Sequence, residues 1–399
     1  MNKVETDVIS TLKEVAEMYN IQGILIGYEK YINGHINDTY HVTFSSSVDN
    51  AAGASRTGNN AGREEYVFQR INDYVFKEPA KVMSNIKEIT RYWNDFGNKT
   101  GNQPECDIIS FIENKDGGNY TYCDGSYWRV CRYVDNSISY EFTEDPKVLY
   151  SAGYAFGHFQ HVLSDFPMNR LYDTIPDFHN TKKRMGSFFE TVKQDPLGRA
   201  KEVEEEIEFF RKYNKIASQL VEMHEEGKLP LRVTHNDTKY NNILMDKHTN
   251  EPLCVIDLDT VMPGLSVYDF GDAIRFAANT AVEDETDLSK VGLNMENYEA
   301  FMRGFISASR EFLTKHELET MALGAIVITI ELASRFLADH INGDKYFRVH
   351  RPNHNLDRAR CQLQLAKDMI AKYDKMCDIV RNVYMEPRWL NLKDWNYKY

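Results

Sequence analysis

The most constraining feature of this chain is a short polar stretch, residues 234–242, with apolar residues on both sides. Leu231 and Val233 lead into it, and residues 243–245, all apolar, lead out of it. A second apolar run, residues 253–256, then ends abruptly in carboxylates. Short apolar runs bounded by polar residues are typical of buried strands. The pattern therefore predicts a fold in which strand ends hold charged and amide side chains rigidly.

Three of these side chains, Asp237, Asn242 and Asp257, match the requirements of phosphoryl transfer. That chemistry needs one carboxylate to orient an attacking hydroxyl and accept its proton. It also needs an amide and a second carboxylate to hold Mg²⁺ on the phosphates of a nucleotide. We therefore predict that Asp237 is the catalytic base and that Asn242 and Asp257 are metal ligands. A lone aspartate at a strand end is more often a turn or helix cap, but three such residues at this spacing favour the catalytic interpretation.

A competing interpretation groups His235, Asp237, Asp257 and Asp259 as the metal cluster of a hydrolase, because histidine and carboxylates are common metal ligands. Elsewhere the sequence has no other His-rich element with ligand spacing to support such a cluster. The phosphoryl-transfer interpretation is therefore preferred.

The spacing His-x-Asp-x-x-x-x-Asn, with a strand-terminal Asp fifteen residues later, resembles the aminoglycoside phosphotransferase and choline kinase superfamily, distant relatives of protein kinases. Three longer stretches, residues 234–246, 256–276 and 335–339, are similar to the bacterial N-acetylhexosamine 1-kinases. The similarity extends from Gly34 to about Leu365.

This resemblance implies an α+β, two-lobed protein-kinase-like fold, with a small antiparallel-sheet N-lobe and a large, mainly helical C-lobe. A length of 399 residues also favours two lobes, because single cores usually stop growing below this size. The hydrophobic period changes from two to 3.6 after residue 135, so we predict an N-terminal nucleotide-covering lobe over 1–135 and a catalytic and substrate-binding lobe over 136–399. Within the first lobe, residues 45–63 contain almost nothing apolar and predict a mobile loop.

In the N-terminal part, residues 4–19 have the period of an amphipathic helix, and strands are expected at 23–31 and 38–44 around Asn33-Gly34. The resemblance assigns this hairpin, with Gly34, to covering the nucleotide. Gln69 occupies the strand position at which related kinases carry a phosphate-binding lysine. A glutamine can donate a hydrogen bond but has no charge, which keeps a pseudokinase interpretation open, although the similar N-acetylhexosamine kinases also carry glutamine here.

The resemblance further implies that ATP and Mg²⁺ bind between the lobes, and that backbone groups near Arg132 and Val134 contact the adenine. The expected reaction is transfer of the γ-phosphoryl group to the anomeric hydroxyl of an N-acetylhexosamine, giving the sugar 1-phosphate. An amino alcohol or aminoglycoside acceptor is the alternative within the superfamily.

Arg335 stands out because it lies in an otherwise apolar helical pattern, and a buried arginine needs an anion or carbonyl partner. It is either satisfied internally, by Glu331 or Asp339, or available to a substrate. The resemblance favours substrate contact and adds Tyr346, with Phe276 packing on the sugar ring. His35, just past the loop glycine, is a further candidate for facing the acceptor, although a single histidine in a loop is more often merely solvated.

The triplet Asp269-Phe270-Gly271 spells a metal-binding motif of protein kinases, but it lies too far along the chain and begins a helix. We predict that Asp269 caps this helix or braces the catalytic loop, and that Asp257 is the metal ligand.

Composition narrows the class of partner. The net charge of −13 argues against a nucleic-acid-binding surface, which requires clustered basic residues. Six cysteines without CxxC pairs and an N-terminus without a signal-peptide pattern favour the cytoplasm. The apolar run over 321–330 stops at Glu331, too short for a membrane span, and predicts a buried core helix. We expect a monomer or weak dimer that binds ATP and a small sugar, without membrane or nucleic-acid partners.

Overall fold

A computed structural model of the chain describes residues 3–31, 37–45, 63–100 and 105–386. Its first part is an antiparallel five-stranded sheet in the order β1-β2-β3-β6-β5. The strands of this sheet are β1 (Ile24–Tyr31), β2 (Asp38–Ser45), β3 (Arg63–Ile71), β5 (Thr121–Cys123) and β6 (Ser126–Arg132). The predicted hairpin turn, with Gly34 and His35, lies outside the described residues, as does most of the predicted mobile loop.

Alternating burial explains why this sheet forms. Along β2, the side chains of Tyr40, Val42 and Phe44 are buried, whereas the residues between them are only partly buried. This period of two gives the sheet one apolar face. Helix α1 (Lys3–Glu17) covers that face with Leu12 and Val15, as the N-terminal helical pattern predicted.

A second, four-stranded sheet carries the predicted catalytic segment. Its order is β4-β10-β9-β7, formed by β4 (Asp107–Ile108), β7 (Ser137–Ile138), β9 (Ile243–Asp246) and β10 (Pro252–Val255). From the sequence alone, the apolar run over residues 107–111 predicts one strand of the N-terminal lobe. Instead β4 has two residues and pairs in parallel with β10, and the chain then crosses so that Phe111 bridges Cys131 in the first sheet.

Helices form most of the chain after residue 145. The helices that follow α1 are α2 (Pro79–Thr100), α3 (Pro146–Val162), α4 (Thr181–Gln194), α5 (Glu204–Glu225), α6 (Ser266–Ala277), α7 (Met295–Ser309), α8 (Lys315–Asn342), α9 (His354–Ala371) and α10 (Tyr373–Met385). The sequence over residues 355–383 predicts one helix, but the structure has two, α9 and α10, which are separated at Lys372. The described architecture confirms the predicted class, an antiparallel-sheet N-terminal region followed by a mainly helical region.

Glycines allow the helices to pack at short range. Gly153 of α3 faces the backbone of Phe301, and Gly304 of α7 faces the backbone of Tyr150, so neither position has space for a Cβ atom. Gly271 of α6 meets Gly324 of α8 in the same way, since a Cβ atom on Gly271 would lie 2.5 Å from the carbonyl oxygen of Gly324. The first two contacts hold α3 against α7, and the third holds α6, which flanks the predicted catalytic loop, against α8.

Helix α8 runs through the core. Among the described helices it alone is long and apolar enough to cross a membrane, yet 83% of that apolar stretch is buried inside the protein. This burial is what the sequence predicted for a core helix. The apolar residues of α2 belong to the same cluster as those of α3, α6 and α8, so the boundary near residue 135 stays a prediction.

Candidate functional site

The catalytic loop begins at the end of β8 (Arg232–Thr234), which pairs with β11 (Met262–Gly264). Asp269 of α6 holds this loop from behind, because its carboxylate accepts hydrogen bonds from the backbone N–H groups of His235 and Asn236, each at 2.8 Å. The hydroxyl of Thr238 donates to the backbone carbonyl of Asp269 at 2.5 Å. Asp269 therefore braces the loop, one of the two roles predicted for it.

Asp237 stands at the point where the loop turns. Asn236, directly before it, adopts a left-handed conformation with φ of 63°. The Nδ2 group of Asn242 donates to the backbone carbonyl of Asp237 at 2.9 Å and to its Oδ2 at 3.1 Å. Lys239 Nζ lies 3.4 Å from Oδ1 of Asp237, whose side chain remains 30% exposed.

The charge of Asp237 follows from these neighbours. Burial raises its pKa, but the charges of Lys239 and His235 and the hydrogen bond from Asn242 outweigh burial and hold the pKa below its ordinary value. The carboxylate is therefore ionised at neutral pH and can accept a hydrogen bond from an acceptor hydroxyl.

Asp257 reaches the same place through the hairpin of β9 and β10. These strands pair antiparallel, with Val255 opposite Ile243, and the N–H of Ile256 donates to the carbonyl of Asn242 at 2.9 Å. Asp257 itself is left-handed, with φ of 59° and ψ of 55°. Burial, with the nearby charges of Asp259 and Asp237, raises the pKa of Asp257 to about 7.

These residues fit a hard divalent cation such as Mg²⁺. Because the Nδ2 group of Asn242 is used by Asp237, the amide oxygen is the atom that Asn242 can offer to a metal. Asp257 supplies a carboxylate oxygen in surroundings that disfavour its charge, and a bound cation relieves that cost. Mg²⁺ usually takes one or two protein carboxylates and completes its shell with water and phosphate oxygens.

The hydrolase cluster is not formed. His235 Nε2 lies 2.9 Å from the carbonyl of Ile256, and its ring packs against Phe156 and Phe159. Asp259 is engaged by Arg129. Within the described parts of the chain, no group of three or more His, Cys, Asp or Glu side chains is arranged to hold a metal ion.

The position of the missing lysine is occupied by a hydrogen-bonded glutamine. Gln69 Nε2 donates to Thr39 Oγ1 at 3.2 Å, and its Oε1 accepts from Arg129 Nε at 3.0 Å. Arg70 points away and pairs with Asp38 at the surface, as expected of the opposite strand face. The sequence analysis did not identify Arg129. The signal was of the same kind as the one used for Arg335, since Arg129 lies in the otherwise apolar run of β6.

The residues predicted near adenine lie where the chain passes between the two sheets. The guanidinium of Arg132 lies 5.5 Å from the centre of the Tyr66 ring. The N–H of Tyr133 donates to the carbonyl of Glu65, and the carbonyl of Val134 accepts from Ser137 Oγ at 2.6 Å. One acceptor position of Val134 is thus already used within the protein.

Arg335 lies against three aromatic rings. The centres of the Phe178, Tyr346 and Phe347 rings are 5.5, 5.9 and 5.5 Å from its guanidinium carbon. Its carboxylate neighbour is Glu331, 3.6 Å away. The arginine side chain keeps 14% exposure, and Tyr346 is 71% exposed.

Asp339, the other carboxylate considered for Arg335, has a different task. It accepts hydrogen bonds at 2.9 Å from three successive backbone N–H groups, those of Lys345, Tyr346 and Phe347. Asp339 therefore fixes the segment that carries Tyr346 against the end of α8.

A polar chain joins Arg335 to the catalytic loop. His179 Nδ1 lies 3.1 Å from Glu331 Oε2, and its Nε2 lies 3.3 Å from the carbonyl of Asn236, the residue before Asp237. Arg184 also approaches Glu331, at 3.8 Å. Burial raises the pKa of Glu331, but Arg335, His179 and Arg184 together bring it below its ordinary value.

Phe276 lies on another side of the loop. Its ring centre is 4.9 Å from that of Tyr240 and 6.0 Å from Lys239 Nζ. Lys239 was missed by the sequence reasoning, although its place inside the motif was a signal. The charge of Asp237 raises the pKa of Lys239, so this cation persists beside the predicted base.

Comparison with known proteins identifies the family of the chain. A family model described as "Phosphotransferase enzyme family" matches residues 33–301, which include the catalytic loop, Asp257 and the hairpin region.

Solved structures share the fold at low sequence identity. An aminoglycoside phosphotransferase from Alicyclobacillus acidocaldarius is 12% identical with a TM-score of 0.56, over 93% of this chain and 96% of that one. An amicoumacin kinase in complex with AMP-PNP and Ca²⁺ is 11% identical with a TM-score of 0.55, over 92% and 96%. A choline kinase from Cryptosporidium parvum is 13% identical with a TM-score of 0.52, over 98% and 99%. At these identities the comparison shows the fold alone.

Proposed function

We propose a reaction for this chain, which belongs to the phosphotransferase enzyme family: ATP-dependent phosphorylation of N-acetylglucosamine or N-acetylgalactosamine at the anomeric C1 hydroxyl. The family match and the shared fold support a more general conclusion, that the chain is a small-molecule kinase with the fold of aminoglycoside phosphotransferases and choline kinases. The choice of acceptor rests on the charges around Arg335.

In this proposal Asp237 orients the C1 hydroxyl and accepts its proton as the phosphoryl group is transferred. Asn242 keeps Asp237 in place through its Nδ2 group, and with Asp257 it would hold Mg²⁺. When bound, Mg²⁺ neutralises charge on the phosphates. Lys239 adds a positive charge 3.4 Å from Oδ1 of Asp237. Because catalysis of this kind is mostly positioning and electrostatic stabilisation, these four side chains act directly around the transferred group, and other residues position the two substrates.

The nucleotide side of the proposal uses residues of the first sheet. Gly34 covers the phosphates, Gln69 donates a neutral hydrogen bond near them, and backbone groups at Arg132 and Val134 contact the base. None of these contacts needs a lysine on β3.

The observation that carries the acceptor choice is the pairing of two guanidinium groups with one carboxylate. Arg335 and Arg184 both approach Glu331, and burial together with the charge of Arg335 lowers the pKa of Arg184. Around Glu331 the two guanidinium charges exceed the single carboxylate charge. This excess of positive charge disfavours the cationic amines of aminoglycosides and amino alcohols. It favours a neutral acceptor with hydroxyl and acetamido oxygens, which accept hydrogen bonds from arginine.

We assign the acceptor contacts accordingly. Arg335 and Tyr346 bind the hydroxyl and acetamido groups, Phe276 packs against the ring, and His35 faces the sugar from the hairpin. A site that hydrogen-bonds an acetamido group should reject plain glucose and galactose, because its polar groups would then stay unpaired.

An ATP-consumption screen over N-acetylhexosamines, neutral hexoses, choline and aminoglycosides tests the proposal. N-acetylhexosamines should give the highest kcat/KM, and the product should be an acid-labile anomeric phosphate. Phosphate on C6 by phosphorus–proton NMR correlation, or equal rates with glucose and N-acetylglucosamine, would contradict the sugar 1-kinase assignment.

The same screen separates the alternatives. Preference for choline or an aminoglycoside would support the amino alcohol or antibiotic kinases represented among the structural relatives. Binding of ATP without transfer to any acceptor would support a pseudokinase.

A further inference from the structure

Arg129 and Asp259 form the ion pair that joins the first sheet to the predicted metal-binding segment. Their side chains are 1% and 2% exposed, so both charges are removed from water. Arg129 lies on β6 directly opposite Gln69 of β3, the position at which related kinases carry their lysine. A buried charge is tolerated when its partner is close and well oriented.

Arg129 gathers contacts from several elements. Its Nη2 group donates to Asp259 Oδ2 at 3.0 Å, its Nη1 group donates to Oδ1, and its Nε group donates to Gln69. Nη1 also lies 3.7 Å from Met83 Sδ of α2, and the guanidinium lies 4.5 Å from the centre of the Phe111 ring. The planar fork of arginine allows these bonds at once, which a single ammonium group does not.

Asp259 is equally constrained. It lies two residues after Asp257, in the helical turn Leu258–Thr260 that begins at the left-handed Asp257. Its Oδ2 also accepts from Asn37 Nδ2 at 2.7 Å, and Asn37 Oδ1 accepts from the N–H of Asn72 at the end of β3. The position of Asp259 therefore links the backbone of Asp257 to one end of the β2–β3 pair, where β2 begins and β3 ends.

We propose that Arg129 and Asp259 are positioning residues that take over the task of the absent β3 lysine, an inference that rests on the proposed nucleotide-dependent function. In related kinases a lysine on β3 pairs with a helix glutamate and aligns the nucleotide phosphates. Here Glu88 of α2 pairs with Arg170 instead. The fixed positive charge is that of Arg129 on β6, the strand that pairs with β3. With Asp259, it orients Asp257 and Gln69 relative to each other without touching the phosphates.

Mutation can distinguish the proposed positioning role from a purely structural one. Replacing a buried ion pair by apolar side chains of similar volume often leaves stability unchanged or improves it. Arg129→Met/Asp259→Leu should therefore fold with a Tm close to that of the wild-type protein. If the pair positions Asp257, the same variant should bind Mg²⁺-AMP-PNP roughly 10–100-fold more weakly, the usual effect of removing a group that orients a metal ligand.

The experiment measures Tm and isothermal titration of AMP-PNP with and without Mg²⁺, for the wild type, the double variant and Arg129→Lys. Arg129→Lys keeps the charge without the fork and should recover part of the affinity lost in the double variant. Arg303→Met/Glu299→Leu is the control. These partly buried partners lie on α7, with Glu386 as the second carboxylate of Arg303, and their loss should change nucleotide affinity by less than about 3-fold.

Four outcomes would overturn the proposal, and a fifth would overturn only the proposed reaction. A double variant with the Tm and the Mg²⁺-dependent affinity of the wild type would show that the pair does not position Asp257, and an equal loss of affinity in the control variant would show the effect to be non-specific. A double variant that does not fold also overturns the proposal if Arg129→Lys binds Mg²⁺-AMP-PNP as well as the wild type. Failure of the wild type to phosphorylate any acceptor would overturn the proposed reaction but not this inference, since nucleotide binding is measured separately. A wild type that binds no Mg²⁺-AMP-PNP would overturn both.

Discussion

At the scale of single residues, Asp237 is held from one side by an amide and from the other by a lysine. Asp237→Asn keeps the size of the side chain but removes the proton acceptor. We expect kcat to fall by roughly 10²-fold or more, because general-base catalysis is typically worth this much. The Kd for ATP should stay nearly constant. Steady-state kinetics and nucleotide titration check both values.

Asp378→Asn serves as the control for Asp237→Asn, because Asp378 is exposed on α10 and, within the described residues, its ion-pair partner is the exposed Arg381. Its kcat should match that of the wild type. Near-normal turnover of Asp237→Asn would remove the base assignment.

Gln69 offers a second residue-scale test. If the chain is an active kinase, Gln69→Ala should raise the KM for ATP more than it lowers kcat, since a neutral donor contributes mostly uniform binding. A collapse of kcat with KM unchanged would be inconsistent with that role.

The contact between Gln69 Oε1 and Arg129 Nε leads to a less obvious expectation for Gln69→Lys. Restoring the lysine of related kinases places a second cation beside a buried guanidinium and removes its acceptor. We expect a loss of about 1–3 kcal/mol in the free energy of unfolding, measured by urea denaturation. Gln69→Met, which removes the acceptor without adding charge, separates the two effects. A Gln69→Lys protein more stable than the wild type would contradict the pairing.

Spatial proximity could be predicted from the sequence for residues that lie near one another along the chain. Asp237 and Asn242 are five positions apart in one loop, and Asp257 joins them through a short hairpin, so their proximity was predictable. Arg129 and Asp259 are 130 positions apart. Their pairing depends on how two sheets meet, which no local pattern encodes. The roles of these residues, as opposed to their positions, stay predictions.

At the scale of elements, the close packing of α3 and α7 depends on glycine. Gly304→Ala would direct a methyl group at the backbone carbonyl of Tyr150, and the helices would have to move apart. We expect a loss of about 1–3 kcal/mol in the free energy of unfolding, the usual cost of overpacking. Chemical denaturation with far-ultraviolet circular dichroism measures it.

Gly186→Ala is the counterpart on α4, where a Cβ atom would meet no atom of the described residues within 4 Å. Alanine favours helix over glycine, so this change should stabilise the protein by about 0.5–1 kcal/mol. Equal effects of the two substitutions would mean that helix propensity, and not packing, decides the result.

Element positions followed from the sequence where the apolar period was long. The N-terminal helix is Lys3–Glu17, where the 3.6-residue period over residues 4–19 predicted it. The two-residue strand β4 was misjudged, because its partner is β10, more than 140 positions later. A short apolar run does not reveal which sheet it will join.

At the scale of the whole molecule, α2 and the later helices share one core, and His158 of α3 lies inside it. The His158 ring packs edge-on against Trp93 of α2, and no described residue bonds to its buried Nε2. Burial, and secondarily the charge of His161, lowers the pKa of His158 to about 4, although Glu105 acts in the opposite direction.

This burial makes stability depend on pH. In the unfolded chain His158 takes up a proton below pH ~6.5, whereas in the folded protein it stays neutral until about pH 4. Stability from this group is therefore complete above pH ~6.5 and falls as the pH drops toward 4. Between pH 7.5 and 5 the loss should be about 1–2 kcal/mol by urea denaturation. His158→Phe should abolish that part of the pH dependence, and an unchanged slope would refute the assignment.

The anchoring of residues 345–347 by Asp339 has a consequence for how acceptor preference can change. Arg335 and Asp339 belong to α8, which is buried along most of its length, whereas Tyr346 belongs to the segment that follows Gly343 at the end of that helix. Asp339 binds only backbone N–H groups there, so these three contacts do not depend on the side chains of the segment. Surface loops also tolerate exchange at low thermodynamic cost. If Tyr346 contacts the acceptor as proposed, exchanging this residue while keeping Phe347, which packs on Phe336, should therefore alter acceptor preference and leave the proposed phosphoryl-transfer residues, carried by other elements, unchanged.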